Sequence, residues 1–297
     1  MEEQKKHRAG FVNIIGSPNV GKSTLMNAMV GENLSIITSK VQTTRHRIMG
    51  IVNGDDFQLV YSDTPGIIES PNYKLHESMM HFVNSAIEDA DVFLFVTEIK
   101  GDHIHQQIID KIVASKIPTI IAINKIDLGD QKLLEDKVEF WSKLMPEAFI
   151  MPISALHKFN LELLFEKIIS LIPECPPYFP KDELTDKTQR FFVAEMIREK
   201  ILLQYSKEIP YSVEVIVEAF KELDERIDIR ATIYVMRESQ KMIILGKGGQ
   251  AIKQVGIAAR KDIEEFVERH VFLDLTVKVA KDWRENEKAL RKFGYEM

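Results

Sequence analysis

The chain has 297 residues, of which 45% are apolar and 28% charged, with a net charge of −6 and a single cysteine. That length exceeds what most single cores hold, so two domains are expected, each able to bury its own core. Cys175 alone excludes an intrachain disulfide framework or a multi-cysteine zinc site and fits a reducing compartment, and the negative balance argues against a protein that coats nucleic acid by bulk attraction.

In chain order, the opening "MEEQKKHRAG" lacks the apolar core of a signal peptide, and no run approaches the ~18 apolar residues of a membrane span, so a cytoplasmic protein is expected. Strands are expected at "FVNIIG" (11–16), "IMGIVNG" (48–54), "FQLVYS" (57–62), "VFLFVTE" (92–98), "PTIIAIN" (118–124) and "AFIMPIS" (148–154). Several are apolar throughout, as a parallel sheet buried on both faces requires. Helices are expected near 22–31, 74–89, 103–116, 131–144 and 160–172. Strands and helices alternating in this way define an α/β, doubly wound domain with a mostly parallel sheet over residues 1–172.

The segment 173–187, proline-rich and without periodicity, reads as a linker. Residues 188–297 change rhythm and form an α+β domain: a helix near 188–205, alternating strands in "YSVEVIVEAF" and "IDIRATIYVMRE", then "KMIIL" as a strand, a glycine turn, a helix, and the strand "VFLDLTVKVAKDW". The halves also differ in charge. Residues 1–187 carry 19 basic and 26 acidic side chains, and residues 188–297 carry 20 and 19, so any nucleic-acid site in the second half must be local.

The strongest chemical signal is Gly16-Ser17-Pro18-Asn19-Val20-Gly21-Lys22-Ser23-Thr24, which fits G-x-x-x-x-G-K-[ST] between a strand and a helix. Its backbone N–H groups would face phosphate oxygens, Lys22 would neutralise the terminal phosphates, and Ser23 would ligate Mg²⁺. Downstream, "DTPG" with the following isoleucine (Asp63, Thr64, Pro65, Gly66, Ile67) offers a carboxylate for the Mg²⁺ shell and a glycine N–H for the γ-phosphate. In "NKID", Asp127 could accept from both N1–H and the 2-amino group of guanine, with the Lys125 stem along the base and Asn124 ending the strand. "SAL" (Ser154, Ala155, Leu156) could donate a backbone N–H to guanine O6. All four loops fall at strand C-terminal ends, where open α/β sheets bind ligands.

These motifs, with "QTTRHR" (42–47), "RFFVAEMIREKI" (190–201), "IPYSVEV" (209–215) and "ALRKFGY" (289–295), resemble the Era GTPases over nearly the whole chain. The resemblance implies a first switch loop in which Thr44, or else Thr43, closes over Mg²⁺. Lys22, Thr44, Gly66 and Asn19 would then serve the reaction, with Asn19 placed to help hold a K⁺ ion where an arginine finger would otherwise act. Ile67 stands where Ras-like proteins carry the water-orienting glutamine, so turnover should be slow.

In the second domain, Gly246-Lys247-Gly248-Gly249 with Ile252 and Lys253 forms the I-x-x-G-x-x-G-x-x-I-K frame of a KH module, inside α-β-β-α-β order. A nucleic-acid backbone would pass over the glycines, beside Lys247, Lys253 and the helix N-terminus. Because strands precede the helix pair, the bacterial (type II) arrangement is expected, as the resemblance also implies.

Family likeness further implies binding near the 3′ end of 16S ribosomal RNA, help in 30S subunit assembly, a monomer exchanging GTP and GDP, and a peripheral contact with the inner face of the membrane. The alternative is an RNA-binding assembly factor with a structural GDP site and negligible turnover. Among weaker features, Lys278, Lys281, Arg284, Lys288, Arg291 and Lys292 at helical spacing would widen the RNA-facing surface. His103 and His105 read as exposed loop histidines and not as a metal pair. Trp141, Trp283, Phe191 and Phe192 read as core.

Overall fold

A computed structural model describes residues 6–101 and 104–295. The chain forms two compact units, one running to Pro71 and from Met79 to Asp186, the other taking Asn72–Ser78 and the chain from Lys187 onward.

The first unit follows the expected alternation: β1 (Arg8–Ile15), α1 (Lys22–Val30), β2 (Ile48–Asn53), β3 (Phe57–Asp63), α2 (Lys74–Glu88, of which the part from Met79 belongs to this unit), β4 (Val92–Glu98), α3 (Gln106–Ser115), β5 (Thr119–Asn124), α4 (Gln131–Leu144), β6 (Phe149–Pro152) and α5 (Leu161–Leu171). The sheet order is β2-β3-β1-β4-β5-β6. All neighbours are parallel except β2, which pairs antiparallel with β3. Alternate residues explain the apolar strands: Phe93, Phe95, Ile121 and Ile123 share a cluster with Val83 and Ile87 of α2, Ile109 and Ile112 of α3, and Trp141 of α4. Leu94, Ile120 and Ala122, equally buried, belong by period-2 alternation to the other face. The chain passes from β1 to β2 and β3 on one side and then crosses by α2 to β4 on the other, which makes the end of β1 the topological switch point of the sheet.

Of residues 173–187, expected as a linker, those to Asp186 are tied to this unit. Gln58, fully buried in β3, donates to the Phe179 carbonyl at 2.8 Å and accepts from the Tyr178 and Phe179 amides. The Ile51 N–H donates to the Leu184 carbonyl, and Thr185 Oγ1 to that of Met49. The prolines remove periodicity without removing partners, because β2 is an edge strand with backbone groups to satisfy.

The second unit contains α6 (Gln189–Gln204), α7 (Ile209–Ser212), β7 (Glu214–Glu222), β8 (Ile227–Val235), α8 (Glu238–Leu245), α9 (Gln250–Val267), β9 (Val271–Val279) and α10 (Glu287–Lys292). Strand order is β7-β8-β9, antiparallel then parallel. Val193, Ile197 and Ile201 of α6 and Val255, Ala259 and Ile263 of α9 recur at helical spacing and pack on Ile229, Ile233 and Val277 of the sheet.

One expected strand is wrong. "KMIIL" lies in α8, not in a strand, and the order is α-α-β-β-α-α-β with α10 following. Gln240 Oε1 accepts the Met236 and Arg237 amides and so starts the helix, only Ile244 of the apolar run is fully buried, and Gly246 at φ 69° ends it. An apolar run this short fits either structure by periodicity. Trp141 and Trp283 are buried, and Phe192 is buried against Phe266.

Candidate nucleotide and nucleic-acid sites

At the switch point, the glycine-rich turn after β1 wraps over the start of α1, and Lys22 folds back beneath it. Its ammonium donates to the carbonyls of Gly16 (3.0 Å) and Ser17 (2.8 Å). Burial pushes the Lys22 ammonium down to about 8, with Asp63 opposing that shift. Burial likewise raises the Asp63 carboxyl above its usual range, against Lys22 and nearby hydroxyls. Lys22 and Ser23 line a cavity of about 470 Å³, with the buried Asp63 bonded to the Ser23 hydroxyl, and two desolvated opposite charges suit a ligand that brings phosphate and a cation together.

The loop between α1 and β2 is pinned at both ends. Asn27 of α1 donates to the Ser35 carbonyl at 2.7 Å and accepts from the Leu34 and Ser35 amides. At the exit, buried Arg47 pairs with Asp89 at 2.7 and 2.9 Å and donates to Ser62 Oγ at 2.6 Å. Between these anchors Thr44 is brought onto Ser23 and Asp63: Thr44 Oγ1 lies 2.9 Å from Ser23 Oγ and 3.4 Å from Asp63 Oδ2, and Ser23 Oγ donates to that oxygen at 2.7 Å. Thr43 is turned away, with its hydroxyl on Thr38 Oγ1 and the Lys40 carbonyl. Asp63 Oδ1 is buried with no hydrogen bond among the described residues. Two hydroxyls and one carboxylate form an all-oxygen set that fits Mg²⁺ completed by phosphate and water.

Gly66 lies against Pro18, and a Cβ there would fall 2.7 Å from the proline ring, so only glycine lets this loop approach the phosphate turn so closely. The next amide, of Ile67, donates to the Gly16 carbonyl at 3.2 Å, while the Ile67 side chain is buried in the core cluster. Asn19, at φ 62°, donates from Nδ2 to the Ser39 carbonyl at 3.1 Å.

The loops after β5 and β6 are held together by Asn124, whose Nδ2 donates to the Val20 carbonyl (2.8 Å) and whose Oδ1 accepts the Ala155 amide (2.9 Å). Ser154 Oγ donates to Asp127 Oδ1 at 2.6 Å, and this bond is the largest cause holding that carboxyl below its usual range. Lys125 Nζ donates to the Asn19 carbonyl at 2.6 Å and pairs with Glu98, laying its stem across the cavity mouth.

Not every expected residue faces the cavity. Thr64 donates to the Ile14 carbonyl, Val20 is buried, and Leu156 is 73% exposed and outside the cavity lining. The Ser17 hydroxyl points to His105 at 2.7 Å. His105 is therefore buried and not the exposed loop residue expected; it stands at the N-cap position of α3 with its ring turned onto Ser17. His103 lies outside the described residues.

In the second unit, Gly246, Gly248 and Gly249 all have positive φ, and Cβ atoms at Gly248 and Gly249 would meet no heavy atom within 4 Å. That open backbone leads into a groove of about 310 Å³ between α9 and β9, lined by Ile252, Lys253, Ile257, Arg260 and Phe272. Ile257 and Phe272 are about half exposed, and the Arg226 guanidinium lies 5.3 Å from the Phe272 ring centroid. Sequence reading reached Ile252 and Lys253 but not Ile257, Arg260 or Phe272. The i, i+3, i+4, i+7 spacing from Lys253 could have found the α9 pair, whereas Phe272 reads as an ordinary strand residue.

The basic tail is not one helical face. Lys278 is in β9 facing Glu218, Arg284 donates to the Tyr211 carbonyl, and Lys292 lies over the Tyr234 ring.

A phosphate turn, a threonine seated on a serine–aspartate pair, and Asp127 bonded to Ser154 at the ends of a doubly wound sheet fit a P-loop GTPase, here joined to a type II KH domain. The comparisons with known proteins agree. Residues 11–125 match the family described as 50S ribosome-binding GTPase, and residues 208–284 match the KH domain. The chain is 46% identical over 296 residues to GTPase Era of Geotalea uraniireducens, covering 99% of each, and 41% identical to that of Staphylococcus haemolyticus, covering 98% of each. Among solved structures, Era of Aquifex aeolicus bound to GDP and AlF4− superposes with a TM-score of 0.93 at 39% identity, over 98% of this chain and 100% of the other. Era in complex with MgGDPNP and nucleotides 1506–1542 of 16S ribosomal RNA also gives 0.93, at 38% identity and the same coverage. The chain belongs to the Era GTPase family.

Proposed function

We propose that the chain is a GTP-driven RNA-binding switch whose KH groove takes the 3′-terminal region of 16S ribosomal RNA and which assists assembly of the 30S subunit. The observation that carries the nucleotide half is Thr44 seated on Ser23 and Asp63, because it joins the mobile element of a switch to the two groups that would hold Mg²⁺. The RNA half is supported by the open GKGG backbone and by the relative that binds 16S RNA.

Bound GTP would draw Lys22 from the carbonyls of Gly16 and Ser17 onto the β/γ-phosphates, and the Gly66 N–H would meet the γ-phosphate. Mg²⁺ held by Ser23, Thr44 and Asp63 would supply neutralisation of charge on the phosphates. Asp127, with Ser154 fixing its rotamer, would read guanine N1–H and the 2-amino group, and the Ala155 N–H would meet O6. Losing the γ-phosphate on hydrolysis removes what holds Thr44 and Gly66, and so releases both loops.

Because the Ile67 side chain is in the core, it cannot orient water, and hydrolysis by the chain alone is slow. Asn19 already contacts the switch-loop backbone at Ser39, which supports a K⁺ site shared by those two groups. Equal turnover in sodium and potassium at the same ionic strength would remove the K⁺ assignment.

The protein is proposed to act as a cytoplasmic monomer. Among the described residues no helix is long and apolar enough to cross a membrane, so contact with the inner membrane face would be peripheral. Phosphate release measured with and without the RNA tests the reading: RNA-sensitive turnover is expected, and absent turnover in both arms would favour a structural GDP site.

A further inference from the structure

His105 touches the phosphate turn from outside the nucleotide cavity. It precedes α3 and is 8% exposed; its Nε2 lies 2.7 Å from Ser17 Oγ, and its Nδ1 lies 3.2 Å from Glu69 Oε1. One imidazole therefore spans the turn that precedes Lys22 and the segment that follows Gly66. The Nδ1 side faces Glu69 as a charge contact, which attracts when the ring is protonated, and a protonated ring donates from Nε2 to Ser17 Oγ.

Both ends of this bridge adjoin groups already assigned work. The Ser17 carbonyl accepts from Lys22, and two residues before Glu69 the Ile67 N–H donates to the Gly16 carbonyl. The ring is thus a second tie between the phosphate turn and residues 66–69. It coexists with Thr44 seated on Ser23 and Asp63, so it belongs to the closed arrangement of the loops.

We propose that His105 is a positioning residue for GTP hydrolysis, holding residues 66–69 against the phosphate turn through Ser17 and Glu69. A GTPase whose post-glycine side chain is buried in the core must orient water with backbone, and a backbone donor is effective only if its segment is fixed. The bridge supplies that order without touching substrate. The inference rests on the proposed use of the Gly66 N–H at the γ-phosphate.

The test uses the full chain and single-turnover GTP hydrolysis, with GDP affinity measured in parallel for His105→Ala, His105→Gln, Glu69→Gln and the His105→Ala/Glu69→Gln double variant. His105→Ala should lower the hydrolysis rate about fivefold while leaving GDP affinity within about twofold, since the interaction serves the closed state. His105→Gln, which can still reach Ser17, should recover part of the rate. Glu69 is largely exposed, so Glu69→Gln should cost only about twofold, and the double variant should be no slower than His105→Ala.

An unchanged rate in His105→Ala, or a matching fall in GDP affinity and rate, overturns the proposal, as does a double variant slower by the product of the single effects. If His105→Ala does not fold, Glu69→Gln decides alone: an unchanged rate counts against the bridge. Absence of turnover in the unaltered chain would instead fail the underlying hydrolysis reading, so the two failures are distinct.

Discussion

Replacing Asp127 by Asn should exchange guanine for xanthine. Asp127 Oδ1 is already engaged by Ser154 Oγ at 2.6 Å, which fixes the carboxylate and leaves its remaining lone pairs for the proposed guanine edge. Guanine offers N1–H and a 2-amino N–H to a charge kept ionised by that same bond. A hydrogen bond to a charged group contributes about 1.5–3 kcal/mol, and the partly exposed position puts each of the two near the low end. Their loss amounts to about 3 kcal/mol, or roughly a hundredfold in affinity. With xanthine the 2-amino group becomes a carbonyl, to which the asparagine NH₂ donates while its oxygen still accepts from Ser154. Competition of a fluorescent nucleotide against GDP and xanthosine diphosphate reads both changes. Retained preference for GDP in Asp127→Asn would refute the assignment of Asp127 to the guanine edge.

Ile67→Ala should leave nucleotide affinity within about threefold but cost about 2–4 kcal/mol of stability, because the side chain is buried among Val83, Ile87 and Phe95; chemical denaturation and GDP titration check the two halves separately. Gly248→Asp places a negative charge where no neighbour would be struck, at a φ of 61° that Asp adopts more readily than most side chains, and should weaken RNA binding at least tenfold with GTP turnover unchanged, as an RNA filter-binding assay beside a thermal melt would show. The same change at Gly246 would also drive its Cβ to 2.6 Å from the Ala251 Cβ, so any loss there would mix folding with binding.

Much of this was legible in the sequence because the phosphate turn is local. Gly16 to Thr24 needs only a strand before it and a helix after it, and fully apolar strands declare a buried parallel sheet. What stayed hidden depended on partners remote in the chain. His105 reads as a loop histidine until the fold brings Ser17, 88 residues away, to its ring. Residues 173–186 read as a linker because prolines erase periodicity, yet Gln58 gathers them onto the sheet. Phe272 lines the KH groove through its place across from α9, and no spacing within β9 marks it. "KMIIL" misled because its preference as a strand lost to the cap provided by Gln240.

The central claim is that nucleotide state and RNA binding are coupled. The most direct measurement is the affinity of the full chain for an RNA spanning nucleotides 1506–1542 of 16S ribosomal RNA, taken with a non-hydrolysable GTP analogue and with GDP, together with the affinity for both nucleotides with and without that RNA. Tighter RNA binding in one nucleotide state is expected, by about fivefold or more, with the same factor in the reciprocal nucleotide titration, since linkage requires equal coupling in both directions. RNA affinity that is identical with the two nucleotides would contradict it.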